Sequence, residues 1–194
     1  MKRVFIVLLL LVAASSQAQV IDRILAIVAN HIITLSDLRR EREVRAVLGE
    51  EGGRDERALL RELIDEHIIE DQASQYLGDI DVTDAAVDEV LKGITDLRGL
   101  HPSVVRATVR KRLRNREFVE LRFRQFVRAT DDEIKTYYDT VFVPAAQSKG
   151  TSPIPRLDQI NDLIRQNVIE EKLVRELETW LDAIRRRSDI EIFD

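Results

Sequence analysis

The chain has 194 residues, with 30 Lys and Arg against 35 Asp and Glu, a formal net charge of −5. Charge of this sign favours solubility and carries no information about fold. With no Cys, disulfides, thiol chemistry and Cys-based metal sites are excluded.

The first residues read as a targeting segment. Lys2 and Arg3 precede an apolar run, Val4 to Ala14, which is shorter than the roughly 20 residues needed to span a bilayer. Ser16 and Ala18 are small residues at the positions a signal peptidase reads, so cleavage is expected after Ala18. The remaining residues 19–194 suit one domain of an exported protein. No other run is long and apolar enough to enter a membrane stably.

The structured part opens with Ile24-Leu25-Ala26-Ile27-Val28, short and β-branched, which predicts a strand. Asn30 and His31 are expected to turn the chain, and Ile32-Ile33 return apolar. Thr34 stands three residues before Asp37, the pattern of a capping box that starts a helix running to about Leu48. Gly49, Gly52 and Gly53 then break the chain. A second helix is predicted from about Asp55 to Leu77. Its apolar positions cover a wide arc, as in a central helix with several neighbours. Thr83 caps a third helix reaching about Leu97.

A fourth helix is predicted from about Pro102 to Val127, with Val105, Val109, Val119, Phe123, Phe126 and Val127 on one stripe. Thr130-Asp131-Asp132-Glu133 is a second capping box. The segment it opens places Ile134, Tyr137, Tyr138, Val141 and Phe142 on one face. Pro144 to Pro155 holds three of the four prolines and reads as a linker. The last helix carries Ile160, Ile164, Leu173, Leu177, Trp180, Leu181 and Ile184 at spacings of three and four. It ends near Arg185-Arg186-Arg187, favourable at a helix C-terminus. Ile190 to Phe193 alternates like a short strand. Two short strands at opposite ends of a helical chain each need a partner for their backbone groups, so they are expected to pair with each other.

The order of these pieces resembles the N-terminal module of the SurA-type periplasmic chaperones. The resemblance is carried by the strand, turn and cap of Arg23 to Leu38, by Leu63-Ile64-Asp65-Glu66, by Asp81-Val82-Thr83-Asp84, and by Thr130 to Ile134 with Tyr137-Tyr138. The long last helix and terminal strand continue it. It implies a mainly α SurA N-terminal-like domain with a small β pairing of the two terminal strands. It also implies a chaperone or holdase for unfolded outer-membrane or secreted proteins. One feature departs from the family: its parvulin prolyl isomerase domain does not fit in the interval at about 144–155, so no isomerase activity is expected.

The three His share no metal-ligand spacing, and His67, set among apolar positions, reads as a core or boundary residue. No nucleophile motif or phosphate loop is present, and no cofactor or metal is expected. Arg106 to Arg128 contains nine basic and two acidic residues, whereas Asp55 to Asp96 contains thirteen acidic and three basic. Two packed helices that complement each other account for this; a basic groove wall is the functional alternative. Export argues against nucleic acid as the partner. Phe118 and Leu121 fall off their helix's apolar stripe. Contact with another element accounts for Phe118 and Leu121, and core packing for Tyr138 and Phe142; on the functional alternative Phe118, Leu121, Tyr138 and Phe142, rimmed by Arg114 and Arg122, are the candidate client-binding residues. With one Met and 5% aromatic residues, a single fixed partner is the alternative to promiscuous client binding.

Overall fold

The computed structural model describes residues 22–50, 55–75 and 80–193. The expected targeting segment and its cleavage site, Gly52 and Gly53, and the end of the second helix at Leu77 and Gly78 lie outside them. The elements run in the order β1 (Ile24–Val28), β2 (His31–Thr34), α1 (Leu35–Val47), α2 (Glu56–Ser74), α3 (Asp84–Leu91), α4 (Pro102–Phe123), α5 (Asp131–Tyr137), α6 (Val143–Ser148), α7 (Leu157–Arg185) and β3 (Ile190–Ile192). The protein is mainly helical, with one small antiparallel sheet of strand order β2-β1-β3.

The two ends of the described chain meet in that sheet. Ala26 pairs with Ile192, Ile27 with Glu191 and Val28 with Ile190. Beyond the ladder, Phe193 N–H donates to the Leu25 carbonyl (2.9 Å) and Ala29 N–H to the Asp189 carbonyl (3.0 Å). On its other side β1 forms a hairpin with β2, in which Val28 faces His31. The turn is therefore Ala29-Asn30, one residue earlier than expected, and His31 belongs to the strand. Ala29 adopts a φ of +50°, a conformation uncommon outside Gly and Asn, and is held there by its bond to Asp189.

Both expected capping boxes form. Asp37 N–H donates to Thr34 Oγ1 (3.3 Å), and Thr34 N–H donates to the Asp37 carboxylate (3.0 Å). The same exchange joins Thr130 and Glu133 at the start of α5. Each box satisfies two amide donors that a helix start would otherwise leave unpaired. Thr83 caps α3 as expected, but α3 ends at Leu91 rather than Leu97. Lys92 turns extended and Gly93 takes a φ of +83°, left-handed backbone that stops a helix.

A main core gathers Leu25, Ala26, Val28 and Ile33 of the sheet, Leu38 of α1, the Leu59 to Ile68 face of α2, and Leu181 and Ile184 of α7. The central helix is thus α2, buried on the wide arc read from its sequence. A second cluster forms around Ile134, Ile164 and Val168, with Tyr137, Tyr138, Phe142 and Leu157 against it. Helix α7, kinked at Ile160 and about 37 Å long over residues 161–185 at 1.5 Å per residue, joins the two. Its N-terminal half supplies the second cluster and its C-terminal turns the first.

The stretch expected to be a linker is half helix. From Asp131 to Ser148 the chain stays helical, passing through a π segment at Tyr138–Phe142 into α6. Pro144 explains the wider turn. It lacks an N–H, and its ring would press on the carbonyl four residues back in a regular α-helix. Val143 N–H instead reaches back five residues to the Tyr138 carbonyl, which opens the turn before the proline. Only residues 149–156 are irregular. They are tied to α5 and its π extension by Tyr138 Oη, which donates to the Pro155 carbonyl (2.8 Å).

Candidate polypeptide-binding surface

The arginines of α4 are mostly spent on structure. Arg106 and Arg110 pair with Asp84 and Asp88 of α3. Lys111 reaches Glu66 (3.2 Å) and Arg114 reaches Glu70 (3.2 Å), both on α2. Arg112 enters a buried group with Glu41 of α1 and with Glu50. Along Arg106 to Arg114, then, the complementary-helix reading holds and the basic groove wall does not form. Arg114 is half-buried and paired. Arg116 and Arg122 remain exposed, and neither has a carboxylate partner among the described residues. The Arg122 guanidinium lies over the Phe123 ring, 5.8 Å from its centre.

Phe118 makes the contact with another element, one of its two readings, and not the exposed client patch: it is 3% exposed and stands 6.1 Å from the Trp180 ring of α7. Helix α4 changes neighbours along its length. It packs against α2 and α3, with Val105 and Val109 buried, while Phe118 and Phe123 face Trp180 of α7. Its buried face is therefore wider than one stripe, and a residue off the first stripe falls on the second.

Phe126 is displaced in the opposite sense. Placed on the stripe by its spacing, it is 73% exposed. A 3-10 turn at Arg124–Phe126 ends α4, and three residues per turn in place of 3.6 rotates the following side chains. Val127 turns inward instead.

Tyr138 and Phe142 stack with their ring centres 5.8 Å apart and belong to the second hydrophobic cluster. They are half-buried packing residues, not a groove wall. The six candidate residues are consequently not brought together. Arg114 of α4 is turned to Glu70 of α2, Phe118 lies against α7, and Tyr138 and Phe142 belong to the second cluster. Leu121 and Arg122 alone stay at the surface.

A different exposed apolar set surrounds the contact of α4 with α7. The Arg124 guanidinium bridges to Glu170 of α7 (2.5 Å) and also to Glu120. Within about one turn of that bridge lie three exposed apolar residues, Leu121, Phe126 and Val174. Leu121 was singled out from the sequence. Val174 was legible there as an apolar residue beside Leu173 and off the α7 stripe. Phe126 was not, because its exposure depends on where the α-helix gives way to the tighter turn.

Glu133 joins the capping box of α5 to α7. Lys172 Nζ donates to its carboxylate (2.6 Å) and to the Arg128 carbonyl (2.7 Å). The lysine bond, with the Thr130 amide, holds Glu133 down at about 2. A carboxylate lowered by folding contributes stability that is complete above its unfolded value near 4.5. That contribution is lost as pH falls through about 2. Glu133→Gln is therefore expected to be less stable than the parent at neutral pH, with the difference shrinking from about pH 4.5 downward. Urea titrations at pH 7, 4 and 2.5 check this; a gap independent of pH would contradict it.

His67 stacks on His31 with ring centres 5.1 Å apart, and burial lowers its pKa. Among the described residues, no group of three or more His, Asp or Glu is placed to hold a metal ion. No described helix is long and apolar enough to cross a membrane. No known protein family and no curated protein matches the chain.

Proposed function

We propose that this protein is a holdase-type chaperone of the periplasm that binds unfolded exported polypeptides, outer-membrane proteins among them, without prolyl isomerase activity. The observation that carries the reading is the exposed apolar set Leu121, Phe126 and Val174 at the α4–α7 contact, beside Arg122, which has no carboxylate partner among the described residues. An exposed apolar surface at a helix junction suits weak, sequence-tolerant binding of unfolded chains. The order of capped elements shared with the SurA-type chaperones supports the same reading.

The test is suppression of aggregation of an unfolded β-barrel client. Leu121→Ser with Phe126→Ser is expected to reduce protection several-fold while shifting stability by no more than about 0.5 kcal/mol per site, since both side chains are exposed. Changing Arg122 to Gln is expected to act on association rate and salt dependence. Full protection by the folded double variant would rule this surface out. Absence of protection by the parent would rule out the holdase reading, and proline-peptide turnover above the uncatalysed rate would rule out its non-enzymatic part.

A further inference from the structure

A second surface, separate from the one above, lies along the free edge of the sheet. In the antiparallel ladder, residues 189, 191 and 193 turn their backbone groups toward β1, as the bonds from Ala29 to Asp189 and from Phe193 to Leu25 show. The alternation of such ladders then turns the N–H and C=O of Ile190 and Ile192 outward. No described element pairs with them, because β3 is the edge of the order β2-β1-β3.

Beside this edge two cavities open between β3 and α2. One, of about 480 Å³, is lined by Leu25, Leu38, Leu60, Ile192 and Phe193; the other, of about 440 Å³, by Ala58, Ile64, Ile190 and Ile192. Ile192 and Arg61 border both, so the two form one trough along the strand. Ile192 is 60% exposed and Phe193 41%, unusual for large apolar groups at the end of a chain rich in charge.

The margin of the trough has an uncompensated sign. Arg23, Arg57 and Arg61 line it, and none has a carboxylate partner among the described residues. The nearby acids are already engaged: Glu56 with Arg42, Glu62 with Arg45, and Asp65 with Arg185. Glu191, opposite Ile27 in the ladder, projects to the other side of the strand from Ile190 and Ile192.

We infer that β3 is a docking edge for an extended polypeptide segment that presents both apolar and acidic side chains on its face turned toward α2. The segment adds as a fourth strand beside Ile190 and Ile192. Main-chain hydrogen bonds supply affinity that does not depend on sequence, and alternate side chains enter the two cavities. Carboxylates on that same face meet Arg57 and Arg61 of α2, since the residues between them point to the opposite side of the strand. This inference goes beyond the holdase reading and does not depend on it, since it concerns another face and another mode of binding.

Fluorescence anisotropy of the full chain tests it with a labelled Val-Glu peptide, a nonapeptide whose odd positions alternate Val and Glu and whose even positions are Ser. Binding is expected, and methylating the alternate amide nitrogens that face β3 is expected to weaken it about tenfold or more, because each methyl removes a ladder donor. Arg57→Glu with Arg61→Glu, both exposed positions, is expected to weaken the Val-Glu peptide about tenfold and to favour a Val-Lys peptide instead. No binding of the Val-Glu peptide overturns the inference. Equal binding after methylation, or unchanged affinity in the charge-reversed variant, overturns it as well. So does a dimer in sedimentation that the peptide does not dissociate, which would assign the edge to a second copy.

Discussion

Removing residues 189–194 is expected to lower stability by about 3–5 kcal/mol, the sum of several lost backbone hydrogen bonds and an uncovered apolar face. The truncation removes the Asp189 carbonyl that holds the Ala29 turn and the Phe193 amide bound to Leu25. It also removes the whole β1–β3 ladder. Ile190, packed against the main core, goes with it. Strand β1 then becomes an edge, with Ala26 and Val28, buried in the parent, next to solvent. For a domain of this size each kcal/mol corresponds to about 2–4 °C, so the melting temperature should fall by roughly 6–20 °C. Thermal melts of the two proteins decide the matter, and coincident transitions would show that the closing strand contributes nothing to stability. Ile190→Ala separates the packing contribution from the backbone one.

Glu41→Ala is expected to cost about 3 kcal/mol, within the range for breaking a buried ion pair by removing one partner. Glu41 is 5% exposed. Its carboxylate takes Arg45 from one turn along α1 (2.6 Å) and Arg112 from α4. Arg45 continues to Glu62 of α2 (2.7 Å), and Arg112 to Glu50 (2.7 Å). This group ties three helices together at one point. Without Glu41, two guanidiniums that are largely shielded from water lose their shared acceptor. Glu41→Leu combined with Arg112→Leu should recover much of the loss, because an apolar replacement of a buried pair is often close to neutral. Urea denaturation of the two singles and the double gives the coupling directly. A single-variant cost below about 1 kcal/mol would mean that the group is solvated like an ordinary surface pair.

A long buried pair such as Glu41 with Arg112 is invisible in the sequence for a simple reason. The two residues are 71 positions apart, and nothing local marks either one among so many charges. The charge contrast between Asp55 to Asp96 and Arg106 to Arg128 was legible, and so was the likelihood of mutual pairing. Which acid meets which base depended on the angle at which α4 crosses α2 and α3. The same crossing decided Phe118. Its spacing relative to Val105 and Val109 is a fact of the sequence. Whether that direction faces water or Trp180 depends on where α7 lies, and α7 is contributed by residues far along the chain.

What the sequence determined by itself was local: the β-branched start of β1, the two capping boxes at Thr34 and Thr130, the stop of α1 near Gly49, the proline start of α4 and the long face of α7. Each rests on interactions within a few residues, so composition and spacing suffice to specify it. The pairing of β1 with β3 was also legible, because short strands at the two ends of a helical chain each carry backbone groups in need of a partner; β1 satisfies its other edge with β2. Tertiary structure alone decided the π segment before Pro144, the outward turn of Phe126, the division of the hydrophobic residues into two clusters along α7, and the trough between β3 and α2. These depend on which surfaces meet, and a surface is defined only after distant segments have packed.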